Sequence, residues 1–375
     1  MKRMLLLLAM VAFASGLCAA DHPLLPLGSP LPDFKLPGVD GREYTPASFA
    51  AAPVFALIFT CDHCPTAQAY EGRIKKLVAE FQPRGVAFLA VNSNNADAVR
   101  LDEMGYTDLG DSFAEMKERA SNRGYTYPYA DDGETQALVE KCGAVATPHV
   151  FLFDRDRKLR FEGRIDDSER EALATHHEAR DALEALVAGK EPPVTHTKVF
   201  GCSIKWKEKI ADNQRWREKV THEPVALEAA EPAAVHALLA PSGKVRVINV
   251  WATWCGPCVA EFDELVEQNL RFRQRDFELI TVSADFPDQQ PKVLAFLQKH
   301  HASNKNLMYR GADKYAYIDA LDPEWSGALP YTLVLDADGK VLYRETGSLD
   351  FLALRRAIVP ALSAITPWGG LSPTK

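Results

Sequence analysis

Four cysteines stand in two C-x-x-C pairs, Cys61/Cys64 and Cys255/Cys258, and each pair directly follows a run of apolar residues. Sulfurs three residues apart meet within one helical turn, so one thiolate can attack a partner's disulfide and the other can resolve the mixed disulfide. A cysteine at a helix N-terminus feels the positive end of the helix dipole, which favours thiolate over thiol. On this reasoning Cys61 and Cys255 are the expected nucleophiles, and Cys64 and Cys258 the expected resolving thiols. Such an exchange needs no bound cofactor. The competing chemistry is a zinc site of four thiolates. Zinc knuckles sit in polar, glycine-rich turns, whereas both pairs here open apolar helices behind buried strands.

The elements around the two pairs repeat. Val54–Phe59 reads as a strand, Cys61-Asp-His-Cys64-Pro65 follows, Ala67–Phe81 has helical periodicity, and Val86–Val91 is the next strand. In the second half Val245–Trp251, Cys255-Gly-Pro-Cys258, Ala260–Phe272 and Phe277–Val282 take the same order. Thr147-Pro148 leads into the strand His149–Phe153, and Leu329-Pro330 into Tyr331–Leu335. Charged turns opening on Asp154 and Asp336 then give hairpins with Leu159–Gly163 and Val341–Glu345, and helices over Ser168–Val187 and Leu349–Leu362 close the halves. Each half is an expected α/β unit, a mixed central sheet with helices on both faces.

The chain has 375 residues, 47% of them hydrophobic and 25% charged, enough for two ordinary cores. Lys2-Arg3, the apolar run Met4–Phe13 and the small residues ending at Ala20 read as a secretory signal over 1–20. A membrane anchor is the competing reading, but the run is about half of the ~20 residues needed to span a bilayer. Losing residues 1–20 moves the net charge from −8 to −10, which argues against nucleic acid as a partner. Export makes disulfides the default, yet loops this small staple a large fold poorly, so the pairs read as redox groups. The domains are placed at 21–210 and 231–375, with a connector over 211–230. The basic segment Lys198–Lys219, with Trp206 and Trp216, reads as an amphipathic stretch lying on a domain rather than a membrane-binding helix.

Val247-Ile-Asn-Val-Trp-Ala-Thr-Trp-Cys-Gly-Pro-Cys258, with Pro330 downstream, resembles the exported TlpA/ResA-like branch of the thioredoxin superfamily over roughly 223–365. The resemblance implies a cis Pro330 facing the disulfide and a docking rim that includes Trp254. Asn249 stands where cytoplasmic thioredoxins carry a buried Asp, and Glu261 is either a substitute proton acceptor for Cys258 or, the favoured reading, a surface residue of the helix. The first half resembles a peroxiredoxin-like subgroup of the redoxin (AhpC/TSA) family over roughly 25–210. Cys61-Asp-His-Cys-Pro65, Tyr70-Glu71, Asn92-Ser93-Asn94, Thr147-Pro148, Gly163-Arg-Ile-Asp-Asp167 and Gly201-Cys-Ser-Ile-Lys-Trp206 carry that likeness. Together the resemblances imply two thioredoxin folds in tandem.

Peroxidase chemistry is not expected. With Cys61 as the attacking thiol, the positions that true peroxiredoxins fill with Thr and Pro hold Ile58 and Val54. Cys202 is either a third redox thiol of the first site or a small packed residue. Cys142 reads as packed at a helix end, with a Cys142–Cys202 disulfide as the minor alternative. His176 and His177, adjacent on an expected helix, point apart and do not share a metal. The function expected is thiol–disulfide exchange with periplasmic protein thiols or disulfides, with a membrane electron donor as a further partner. The alternatives are a copper-binding redox chaperone and a thiol peroxidase. Because His63 can carry a proton beside the first pair, that pair is expected to be the stronger oxidant and to accept electrons from the second.

Overall fold

The computed structural model describes residues 22–310 and 314–368. Residues 1–20, read above as a secretory signal, and Cys18 among them lie outside the described residues. Among the described residues no helix is long and apolar enough to cross a membrane.

A short hairpin, β1 (Leu36–Pro37) and β2 (Glu43–Tyr44), precedes the central strand β3 (Val54–Thr60). Helix α1 (Pro65–Phe81), β4 (Val86–Asn92), α2 (Phe113–Arg123), β5 (Tyr129–Asp131) and α3 (Ala137–Cys142) follow. Next come the short β6 (Ala146–Thr147), the hairpin β7 (His149–Phe153) and β8 (Leu159–Gly163), and α4 (Glu178–Val187). The sheet runs β5-β4-β3-β7-β8, with β3, β4 and β5 parallel, β7 antiparallel to β3, and β8 antiparallel to β7. Every residue of β3 is buried because both faces are covered. Val54, Ala56 and Ile58 face the core under α1 and α4, and Phe55, Leu57 and Phe59 the core that holds α3. This alternation is the two-residue period of a strand.

Two further elements link the halves: β9 (Cys202–Ser203), which pairs with β6, and α5 (Ile210–Thr221). The second half holds β10 (Glu228–Ala230), α6 (Pro232–His236), β11 (Val245–Trp251), α7 (Gly256–Phe272), β12 (Phe277–Ser283) and α8 (Gln290–Lys299). It ends with β13 (Lys305–Tyr309), α9 (Lys314–Leu321), β14 (Tyr331–Leu335), β15 (Val341–Thr346) and α10 (Phe351–Ile365). Its sheet runs β10-β13-β12-β11-β14-β15, so the first half's pattern returns with one more parallel strand at the edge. That edge strand, β10, falls inside the stretch read as connector. Both halves are thioredoxin folds. Both X-Pro bonds, Thr147–Pro148 and Leu329–Pro330, are cis, as expected from the sequence.

Two local readings change. Residues 168–177 are not part of α4, because the carbonyls of Ser168 and Glu169 accept hydrogen bonds from Arg73 rather than from a helix. His176 and His177 therefore precede the helix, and His176 Nδ1 bonds Asp167. The basic segment lies on the protein: Asn213 donates to the carbonyls of Asp97 and Val99, and Trp216 packs with Leu101, Val220 and Leu270.

The halves meet through the loop before α2. Arg271, near the C-terminal end of α7, donates to the carbonyls of Met104 and Thr107, Arg275 to Gly105, and Arg355 of α10 to Asp108. Arg271 is 5% exposed, and burial followed by repulsion from Arg355 pushes its pKa down to about 10.

Candidate redox sites

At the second site β11 delivers the chain to a turn pinned by Asp285, which accepts hydrogen bonds from Thr253 N and Oγ1. Helix α7 starts at Gly256, so Cys255 is its N-cap and its Sγ accepts from Cys258 N at 3.3 Å. The sulfur takes the place of a capping oxygen at the positive end of the helix. Cys255 and Cys258 form a disulfide, packed against the partly buried Leu329 that precedes Pro330. Trp254 is 62% exposed beside it, in keeping with a rim for docking. Asn249 is tied to Thr332 Oγ1 at 2.9 Å. Glu261, one turn beyond Cys258, accepts from Leu349 N with Oε2, leaves buried Oε1 without a partner, and has its pKa raised by burial.

The first site is offset by one helical turn. Helix α1 starts at Pro65, and its N-cap is Cys64, whose Sγ accepts from Ala67 N at 3.4 Å. Proline suits the first position of a helix, where no N–H is needed. In C-D-H-C-P the proline follows the second cysteine; in C-G-P-C it lies between them. Cys61 thus sits upstream of the helix, buried, with Sγ 3.1 Å from Thr147 Oγ1.

The charges follow this offset. Burial opposes ionisation of Cys64, but hydrogen bonds from Cys202, Cys61 and Ala67 N, with the nearby positive His63, bring its pKa well below the ordinary thiol value. Burial, the bond to Cys64 and the negative Asp111 push Cys61 well above it. His63 Nδ1 is 2.5 Å from Asp111 Oδ2; burial works against the imidazolium, and Asp111 overcomes it, so the His63 pKa is raised. Asp111 is the functional residue that the sequence did not single out. It also accepts from the backbone N–H groups of Asp62 and His63 and from Asn94 Nδ2. Asp62, beside the thiols in sequence, is buried with Tyr129 OH on Oδ1, and burial raises its pKa well above the carboxylate range.

The motifs that carry the first half's resemblance gather around this site. Asn94 holds Asp111 with Nδ2 and accepts Lys205 N with Oδ1, tying the Gly201–Trp206 segment to the histidine loop. Tyr70 and Arg73 both bind Asp166, fixing α1 to the end of β8. Cys202 is opposite Thr147 in the β6–β9 pair and packs with Cys61, Cys64 and Ala67. Cys142 is instead buried among Leu138, Val139 and Ile204 and is a free thiol. Cys61, His63 and Asp111 also have ligand atoms within 4.8 Å of one another, but both Asp111 oxygens already accept hydrogen bonds, which suits an orienting carboxylate better than a metal ligand.

Residues 27–162 match the AhpC/TSA family model, and residues 220–352 match the Redoxin model. The chain carries in tandem a segment that matches the AhpC/TSA family and a segment that matches the Redoxin family. Among the relatives, the thiol:disulfide interchange protein CycY of Rhizobium leguminosarum is 29% identical over 147 residues, 36% of this chain and 70% of that protein. A thiol:disulfide interchange protein DsbE homolog of Paracoccus denitrificans is 33% identical over 28% of this chain and 52% of its own length. The chain thus spans between half and 70% of these curated relatives. An uncharacterized conserved protein of Geobacillus kaustophilus, known from a crystal structure, is 35% identical, with 48% of this chain and 93% of that chain covered and a TM-score of 0.44. The AhpC/TSA segment contains Cys61 and Cys64; the Redoxin segment contains Cys255 and Cys258.

Proposed function

We propose that this protein is an exported thiol–disulfide oxidoreductase that exchanges dithiols and disulfides with protein partners at both C-x-x-C sites. The observation that carries the reading is Cys255 as the sulfur cap of α7, disulfide-bonded to Cys258 beside the exposed Trp254. In the reduced state the Cys255 thiolate attacks a partner disulfide, forms a mixed disulfide and releases one partner thiolate. Cys258 then loses its proton and attacks Cys255 Sγ, which releases the second partner thiolate and restores the Cys255–Cys258 bond. Two electrons pass to the partner. Glu261, a partly buried carboxylate one turn along α7 from Cys258 with its buried Oε1 unpartnered, is assigned as the acceptor of the Cys258 proton.

Export rests on the signal-like residues 1–20, and the names of the relatives support protein thiols or disulfides as substrates. The reading extends to a membrane electron donor as the source of reducing power. The test is trapping in cells: Cys258→Ala should accumulate a mixed disulfide on Cys255 with envelope proteins, and Cys255→Ser should lose second-site reduction while remaining folded. Reduction that survives in Cys255→Ser, or Cys258→Ala that traps nothing, contradicts it.

A further inference from the structure

We propose that the first site works through a disulfide between Cys64 and Cys202, with Cys202 as the sulfur that partners touch. The inference rests on the thiol–disulfide reading above and names the sulfurs that perform it at this site.

Accessibility comes first. Cys61 is 3% exposed and Cys64 is fully buried, whereas Cys202 is partly exposed, the one free cysteine among the described residues that is not buried. Of the three sulfurs packed together here, Cys202 is the one with surface open to a protein partner. Position comes second. Cys202 is the residue opposite Thr147 in the β6–β9 pair, and Thr147 touches both other sulfurs, with Oγ1 3.1 Å from Cys61 and its carbonyl oxygen 3.7 Å from Cys64. Cys202 packs against Cys61, Cys64 and Ala67, and its thiol helps lower the Cys64 pKa. Gly201 makes this approach possible: its φ is +146°, and a Cβ there would lie 2.1 Å from the Thr147 carbonyl oxygen. The segment is held on its other side by Asn94 on Lys205 N and by Gln136 Nε2 on Lys205 O.

Chemistry comes third. In the oxidised state a partner thiolate attacks the outward sulfur, Cys202, and the Cys64–Cys202 bond breaks with its electron pair on Cys64. Disulfides open fastest when the leaving thiol has a low pKa. Cys64 meets that need, with Ala67 N–H on its sulfur and His63, held positive by Asp111, nearby. The partner's second thiol gives up its proton and attacks its own sulfur in the mixed disulfide. The partner disulfide forms, and Cys202 leaves and is protonated. The partner loses two electrons, and the protein gains them as Cys64 thiolate and Cys202 thiol. Run backwards, the same steps reduce a partner.

The full chain should be equilibrated with oxidised glutathione, blocked with N-ethylmaleimide and cut with trypsin. Cys61 and Cys64 fall on one peptide, 43–73, and Cys202 on another, 199–205. A cross-link between the two peptides that persists in Cys61→Ser and disappears in Cys64→Ser is the expected result. A disulfide confined to peptide 43–73, with Cys202 alkylated, overturns the proposal and leaves the general function standing. Oxidation of Cys255–Cys258 with no first-site disulfide at all overturns both the proposal and the first-site part of that function. A second probe avoids the cross-link: 5,5′-dithiobis(2-nitrobenzoate) added to Cys64→Ser, checked as folded by circular dichroism, should leave its mixed disulfide on Cys202. An adduct on Cys61 with Cys202 unreacted overturns the assignment.

Discussion

The decisive residue at the first site is Pro65. By starting α1 one turn later than α7 starts relative to its own pair, it gives the cap position to Cys64 rather than Cys61, and the charges of His63 and Asp111 follow. The sequence-based expectation that Cys61, like Cys255, stands at the helix N-terminus misses this offset, although C-D-H-C-P and C-G-P-C differ in where the proline stands. Asp111 was not legible in the sequence, because a lone aspartate 48 residues beyond His63 carries no mark until the fold brings it to 2.5 Å. His63→Gln should therefore move the ionisation of Cys64, followed by thiolate absorbance at 240 nm, to higher pH; an unchanged titration would remove His63 from the site. The variant also has a signed effect on stability. His63 has a folded pKa above 6.5, so its charged pairing with Asp111 contributes fully below pH 6.5 and fades as pH rises through the folded value. The stability lost in His63→Gln should be greater at pH 6 than at pH 9, measured by urea unfolding at both.

At the scale of elements, the strands and helices flanking each cysteine pair were readable because their apolar periods are unbroken, and β3 and β11 lie where those runs put them. The two-residue strands β6 and β9 were not. Their pairing spans residues 146–203 and has no periodicity to announce it, although the glycine before Cys202 was part of a noted motif. The same limit applied to residues 168–177, whose backbone carbonyls are claimed by a distant arginine. Gly201→Ala tests the pairing. A Cβ 2.1 Å from a carbonyl oxygen forces the segment away, so the variant should lose about 1–3 kcal/mol of stability and expose Cys202 to faster alkylation. Alkylation of Cys202 at the wild-type rate would show that β9 tolerates the side chain.

For the whole molecule, the tandem repeat was visible as two cysteine pairs 194 residues apart, but the contact between the halves was not, because it is made by arginines on carbonyls and by Leu101, Trp216, Val220 and Leu270, which come together from distant segments with no shared period. Arg271→Ala should weaken that contact by about 1.5–3 kcal/mol, the worth of hydrogen bonds from a charged donor, and separate the thermal transitions of the halves in calorimetry. A single unshifted transition would mean that the contact does not couple them. Cys255 lies at the opposite end of α7 from Arg271, about 24 Å along the helix, so this contact does not itself join the two sulfur pairs. We propose that the chain holds two redox centres of different strength, the first the stronger oxidant because its buried thiolate is stabilised by a charged histidine as well as a helix end. The most direct test equilibrates the full chain across a series of glutathione ratios, quenches in acid, and reads every cysteine by differential isotopic alkylation and mass spectrometry. Two two-electron transitions are predicted, with the first-site cysteines reduced at more oxidising ratios than Cys255/Cys258; equal midpoints, the reverse order, or a pair that never titrates would contradict the account.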